Sequence, residues 1–461
     1  MKRIIIPSLI LGTVALLSSC GLYKQYERPS VNTKGMYRDT ANIADTLVAK
    51  DTTSFGNLPW HEVFTDTKLQ QLIDSGLKNN TDLLSAAITV QQSEAQLQAA
   101  RLSFWPSFEF AGSGTMGIWN FNKPAYSYSL PIEASWTADL FGKLTNAKRA
   151  QQAMLLENKD YQQAVRTKVI SDIANCYYTL QMLDRQLEIT DSTAVLTKNT
   201  WDMMKTQKQY GSTDEASVQS GEANYYSVLA SIPELKRQIL STENSLSLLI
   251  GQSPRTIDRN KLADESLPND FSTGIPVQML NNRPDVHSAE MNLAYCYYNV
   301  NQARAAFYPS LTINASAAWT NNAGSAIINP GKILAEAVAG LTQPIFEKGQ
   351  LRANLKVAQL TQQKAYLTWQ YDILSAGSEV SNALALYNSS TQKSALQQKQ
   401  ITSLTKNVEI VEKLFKLGSS TYVEIISAQQ SLLSAQLSKV SDDFYKMQAV
   451  VNLYYALGGG R

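Results

Sequence analysis

The 461-residue sequence is poor in the residues that most enzymes use for chemistry, with 3 Cys and 2 His. His61 and His287 lie far apart and no Cys-x-x-Cys occurs, so the usual His/Cys metal sites and His-centred catalytic triads lack material. Charge is scarce as well. Only 17% of residues are charged, and 41 Lys+Arg nearly cancel 39 Asp+Glu, which removes the basic bias of a nucleic-acid binder. After the N-terminus no apolar run approaches the ~20 residues of a membrane-spanning helix. These shortages point away from an enzyme, a nucleic-acid partner and a helical membrane protein, and no catalytic residue, cofactor or metal is expected.

The N-terminus carries an address. Met1-Lys2-Arg3 is a basic n-region and Ile4 to Leu17 an apolar h-region, too short to span a bilayer but suited to a secretory signal. Leu17-Ser18-Ser19-Cys20 follows and resembles the bacterial lipobox. That resemblance implies cleavage of residues 1–19, lipid attachment at Cys20 and an extended N-terminal segment over 20–57. Loss of Lys2 and Arg3 would take the formal charge from +2 to zero. Gly21 stands where bacterial lipoproteins retained in the inner membrane usually have Asp, so the outer membrane is the expected destination. Of the other cysteines, Cys176 falls in a helical seam with Val169, Ile173, Leu180 and Leu183, and Cys296 lies among aromatics. Both read as small packing residues rather than a disulfide pair.

The chain is duplicated. Ala100-Arg101-Leu102-Ser103-Phe104-Trp105-Pro106-Ser107 recurs as Ala303-Arg304-Ala305-Ala306-Phe307-Tyr308-Pro309-Ser310, 203 positions later. Phe141 matches Phe346, Gly211-Ser212 matches Gly418-Ser419 and Gly251 matches Gly458, with the offset drifting to 207. Each half is therefore expected to form the same unit. The first repeat is placed at 58–251, the second at 277–458, and a Pro-, Asp- and Asn-rich linker at 252–276.

Within each half the hydrophobic period changes. Helices are expected over 82–103 and 285–306; after Pro106 and Pro309 the period becomes 2. Strands are expected over 107–118, 126–141, 309–320 and 333–346, each long enough to cross a bilayer when tilted. Their polar faces carry Glu109, Glu133 and Asp139, which are costly against lipid but suit a water-filled lumen. Phe104, Trp105, Trp136 and Tyr308 toward one end, and Trp119, Phe121 and Tyr126 toward the other, resemble two aromatic girdles. Strand pattern alone leaves a soluble β-sandwich with one wet face equally open.

The remainder of each half favours the membrane reading. Lys143 to Gln209 has neither Gly nor Pro, and Gln350 to Lys416 has no Pro and one Gly, Gly377. At 1.5 Å per residue each would form a helix of roughly 100 Å, too long for a compact domain. Each ends at a Gly-Ser turn, Gly211-Ser212 or Gly418-Ser419, and returns as a second helix over 214–250 or 421–457 with apolar residues stepping by 3 and 4. Four strands cannot close a barrel in lipid, where at least about eight are needed, so the chain is expected to oligomerise.

Duplicated halves, paired strands, Trp136-Thr137-Ala138-Asp139-Leu140-Phe141-Gly142, Gln343-Pro344-Ile345-Phe346 and the Gly-Ser turns together resemble the TolC-type outer-membrane factors. Arg283-Pro284-Asp285 and the lipobox resemble their NodT-type lipoprotein branch. The resemblance covers about residues 58–458. It implies a mixed α and β membrane protein in which a homotrimer builds a twelve-stranded outer-membrane β-barrel and a periplasmic α-barrel of antiparallel coiled coils. It further implies a passive conduit for substrates delivered by an inner-membrane resistance-nodulation-division efflux transporter through a periplasmic adaptor. In such channels acidic side chains narrow the periplasmic end. Glu424 falls where one ring-forming aspartate lies and Phe415 matches an aromatic near the tip, while Ser420 and Ser427 replace a family arginine and a second aspartate. Asp214 and Glu215 are further acidic candidates. Gly211, Ser212, Gly418 and Ser419 are the expected adaptor contacts.

Two other readings of the same pattern are a type I peptide or protein secretion channel, since the pump selects the cargo, and a periplasmic coiled-coil lipoprotein scaffold without a pore. Gly112-Ser113-Gly114-Thr115-Met116-Gly117 matches the dinucleotide-binding G-x-G-x-x-G literally, but a strand rather than a helix follows it.

Overall fold

The computed structural model describes residues 23–30, 55–118, 123–262, 283–320 and 333–460. The chain divides into two compact units. One comprises Met1–Val31, Ile88–Asp160 and His287–Tyr371, and the other Asn32–Ala87, Tyr161–Val286 and Asp372–Arg461. The helices are α1 (Trp60–Val63), α2 (Thr67–Asn79), α3 (Thr81–Leu102), α4 (Lys143–Gln209), α5 (Glu215–Leu249), α6 (Pro284–Ala305), α7 (Gln350–Lys416) and α8 (Tyr422–Ala456). The strands are β1 (Ser107–Phe110), β2 (Ser113–Gly117), β3 (Ala125–Ala138), β4 (Ser310–Thr320) and β5 (Ile333–Thr342).

Duplication is visible in the boundaries themselves. Helices α3 and α6 have 22 residues each, α4 and α7 have 67 each, and α5 and α8 have 35 each. The same local chemistry ends the matching helices. Gly211 and Gly418 take positive φ values of 73° and 71°, and the next amide reaches back five residues: Ser212 N–H to Gln207 C=O at 2.9 Å, Ser419 N–H to Leu414 C=O at 2.8 Å. This is a Schellman stop, which glycine permits because no Cβ meets the preceding carbonyl. Asp214 then caps α5 by accepting from Ser217 N–H, and Thr421 caps α8 by accepting from Glu424 N–H.

The five strands form one antiparallel sheet in the order β1-β3-β4-β5, with β2 paired to β3 in line with β1. Its register places Ser107 opposite Ser135, Thr115 opposite Ser127, Ser135 opposite Asn314 and Ser310 opposite Thr342. The other face pairs Phe110 with Ile132, Met116 with Tyr126, Trp136 with Ile313 and Leu311 with Leu341. Because side chains alternate with period 2, a slip by one residue would exchange the two faces entirely.

Two expectations about the strands need correction. The single strand over 107–118 is interrupted at Ala111 and Gly112, although the register continues unchanged from Phe110–Ile132 to Ser113–Ser129. Pro131 lies opposite this gap; it has no N–H to give to the ladder, whereas its pairing with Ala318 on the other side persists. Strand β3 also stops before Asp139, whose carboxylate accepts from Leu144 N–H (2.9 Å) and Thr145 N–H (2.7 Å) and so caps α4. Asp139 is a helix cap, not a residue of the polar sheet face. Trp119 and Phe121 of the second aromatic girdle lie outside the described residues.

In the second unit, Ile170, Ile173, Ala174, Tyr177 and Leu180 of α4 pack with Trp60, Phe64, Leu69, Ile73, Leu246 and Tyr454 into a continuous core. Cys176 packs against this core, and burial pushes its thiol up to about 11. It and the buried Cys296 are both free thiols. Of the linker placed at 252–276, residues up to Leu262 are described. Arg259 bridges Asp184 (2.5 Å) and Glu243 (2.6 Å), and Asn260 donates to Asp66 at 3.0 Å.

Candidate functional site

The two carboxylates singled out on the sheet meet directly. Glu109 on β1 is the cross-strand partner of Glu133 on β3, Glu133 is opposite Ser316 on β4, and Ser316 is opposite Glu336 on β5. One rung across the sheet therefore reads Glu, Glu, Ser, Glu, with all three carboxylates exposed. Like charges directly opposite each other destabilise a sheet, so the rung persists only where water and counter-ions reach it. The reverse face is apolar and exposed in the isolated chain: Phe108 is 73% and Phe110 65% accessible. Both lateral edges, β1 with β2 on one side and β5 on the other, have no further strand among the described residues.

Glu336 was not singled out from the sequence. Its strand alternates weakly, with Leu334, Val338 and Gly340 sharing its parity, and only the register to Ser316 reveals its place on the rung.

At the other set of sites, Gly211, Ser212, Gly418 and Ser419 are all exposed, and a Cβ added at either glycine would meet nothing within 4 Å. Beneath the turns, Met204, Val218, Phe415 and Ile425 form a small core that joins the two hairpins, reinforced by Gln207 Nε2 donating to Phe415 C=O at 2.9 Å. Phe415 is 4% exposed in this cluster. It packs beneath the turns, near the tip as expected, and holds the hairpin ends together.

Glu424 takes part in a capping box. Its carboxylate accepts from Thr421 N–H at 3.0 Å and from the Ser420 hydroxyl, while its own N–H donates to Thr421 Oγ1 at 3.4 Å. The Ser420 hydroxyl and the Thr421 amide hold its carboxyl below the usual range, so it is anionic at neutral pH. Asp214 and Glu215 are similarly engaged, Asp214 as the α5 cap and Glu215 in an ion pair with Lys208.

The Arg-Pro-Asp tripeptide forms a buried clamp. Arg283 makes a fork with Asp285 (2.9 and 2.6 Å), reaches Glu379 at 2.7 Å and donates to Ala456 C=O at the end of α8 at 3.1 Å. In the first repeat, Asn80 does the corresponding work by donating to Leu249 C=O at 2.9 Å. Cys20 lies outside the described residues. The chain downstream of it is tied to α6: Tyr297 OH donates to Lys24 C=O at 3.1 Å, and Arg28 pairs with Glu290 through Nε at 2.7 Å and through a second guanidinium N–H. Among the described residues no helix is long and apolar enough to cross a membrane, and no group of three or more His, Cys, Asp or Glu is placed to hold a metal ion.

Known proteins resemble this chain over nearly its whole length. The chain is 27% identical over 460 residues to the probable outer membrane lipoprotein SilC of Salmonella typhimurium, covering 98% of each chain. It is 26% identical to the cation efflux system protein CusC of Escherichia coli K12, covering 96% of this chain and 97% of that one. Among solved structures, the open state of the Neisseria gonorrhoeae MtrE outer membrane channel superposes with a TM-score of 0.83 at 25% identity, over 96% of this chain and 98% of that one. The model of the outer membrane efflux protein family matches residues 72–252 and 275–459, one match per repeat, and the chain belongs to that family.

Proposed function

We propose that three copies of this chain close into an outer-membrane channel, a passive conduit from periplasm to exterior. The observation that carries this reading is the face-segregated sheet with two open edges. Four paired positions per protomer become twelve in a ring of three, enough to satisfy every backbone edge in lipid. The Phe, Ile and Trp face then turns to lipid and the Ser, Thr and Glu face to water. Glu109, Glu133 and Glu336, repeated three times around the lumen, form a negative ring that favours cations.

In this reading Cys20 is lipidated and anchors each protomer to the outer membrane, and the exposed turns at Gly211-Ser212 and Gly418-Ser419 meet a periplasmic adaptor. The adaptor joins the conduit to an inner-membrane transporter that selects the cargo; names among the relatives, from cation to toluene efflux, accord with such a division of labour. Three copies of Glu424 ring the periplasmic entrance, their charge fixed by the cap. No bond is broken, and adaptor binding rather than nucleotide opens the entrance.

Planar-bilayer recording of the purified full-length protein tests this. The wild type is expected to give discrete cation-preferring conductance, Glu109→Gln/Glu133→Gln/Glu336→Gln to lose most of that preference at similar conductance, and Glu424→Ala to alter the entrance-limited current. Absence of any conductance would sink the conduit. Unchanged ion preference in the triple variant would remove the carboxylates from the lumen.

A further inference from the structure

A cleft of about 430 Å³ opens between α7 and α8, lined by Lys393, Leu396 and Gln397 from one helix and Ser438, Ser441 and Asp442 from the other. On each helix the three residues follow i, i+3, i+4 spacing and so share one face. Asp442 is only 7% exposed, yet its carboxylate has no hydrogen bond or ion pair with any described residue. The amide oxygen of Gln397 is likewise buried without a partner. Several nearby donors are committed elsewhere. Ser441 donates to Leu437 C=O at 3.1 Å, while Ser394 and Lys439 both serve the adjacent Asp443, at 2.5 and 2.6 Å. Lys393 lines the cleft but forms no ion pair among the described residues.

The duplication supplies an internal control. At the corresponding positions of the first repeat stand Leu235 in place of Asp442, Thr190 in place of Gln397 and Gln186 in place of Lys393. A leucine serves the matching seam there, so the hairpin does not require a carboxylate at this point. A carboxylate on a residue only 7% exposed and without a protein partner has only water to satisfy it, and a cation with N–H donors supplies charge-assisted hydrogen bonds there. Its oxygen acceptors point to the kind of cation. A single carboxylate with an amide oxygen and a serine hydroxyl is too sparse for Ca²⁺, which takes six to eight oxygens. It matches a nitrogen cation with several N–H bonds seated in an open cleft.

We propose that this cleft binds a small organic cation bearing a primary ammonium or guanidinium group, with Asp442 as its counter-ion, Gln397 and Ser438 as acceptors, and Lys393 as an internal competitor. The exposed apolar side chain of Leu396 accommodates the alkyl part of such a molecule. The site stands apart from the channel reading and does not depend on it.

Titration calorimetry of the full-length protein in detergent, with agmatine as the probe, tests the proposal. Saturable binding is expected, weakened about tenfold or more by Asp442→Asn, the loss of one charged hydrogen-bonded contact. Lys393→Met is expected to tighten binding by removing the competitor. Asp442→Leu, which restores the residue of the first repeat, is expected to abolish binding while the melting temperature holds or rises, which separates loss of the site from loss of the fold. No saturable binding to the wild type would overturn the proposal. So would undiminished binding to Asp442→Leu, or a Lys393→Met variant that melts lower without binding more tightly, since Lys393 would then neutralise Asp442 within the fold.

Discussion

At the scale of single residues, Arg283 shows what a short motif is for. Its guanidinium satisfies two carboxylates and a helix-terminal carbonyl from a position that is 3% exposed, a task suited to a planar fork and unsuited to a lysine. Arg283→Ala is expected to cost about 2–3 kcal/mol, the lower end for a broken buried pair because Asp285 and Glu379 are each about two-fifths exposed. Arg283→Lys should recover only part of that, and an unchanged denaturation midpoint in both variants would refute the clamp. The sequence presented Arg283-Pro284-Asp285 only as a family-like tripeptide, because its partners Glu379 and Ala456 are remote in the chain. The burial of Phe415 was hidden in the sequence for the same reason. Its burial depends on Met204 and Val218 of the other hairpin, which no local pattern reveals.

At the scale of elements, the two hairpin turns offer a matched experiment. Both glycines have positive φ and open space around the missing Cβ, so alanine meets no neighbour and the penalty is conformational, about 1–2 kcal/mol each. Gly211→Ala and Gly418→Ala are therefore expected to increase cleavage by a protease at their own turn to a similar degree; a much larger effect at one turn would show a contact there beyond backbone strain. Helices of this kind were legible in advance because an uninterrupted run, a glycine and a capping residue are all local signals. The sheet was legible in its alternation but not in its breaks. Pro131 interrupts a different strand from its own, and Glu336 joins the acidic rung only through Ser316, so both effects needed the pairing register rather than the sequence of either strand.

At the scale of the whole molecule, the repeats are fastened together by charge as well as by packing. His287 of the second repeat meets Asp160 of the first at 2.6 Å, and the Asp160 carboxylate holds the imidazole above its usual range despite partial burial. A raised folded-state value means that the stabilisation is fully present below the unfolded value of about 6.5 and is lost as pH climbs through the folded one. The melting temperature of the wild type should thus exceed that of His287→Gln by more at about pH 5.5 than at about pH 8.5. A difference independent of pH would leave His287 as a packing residue only. The equal lengths of α4 and α7, 67 residues each, have a consequence of a different sort. Inserting one residue into either helix would turn everything beyond it by about 100°, carrying seam side chains into water and exposed ones into the seam as far as the turn. Substitutions at the many exposed positions leave that phase intact, whereas a single-codon insertion or deletion does not. Residue count, more than residue identity, is what these helices have to inherit unchanged.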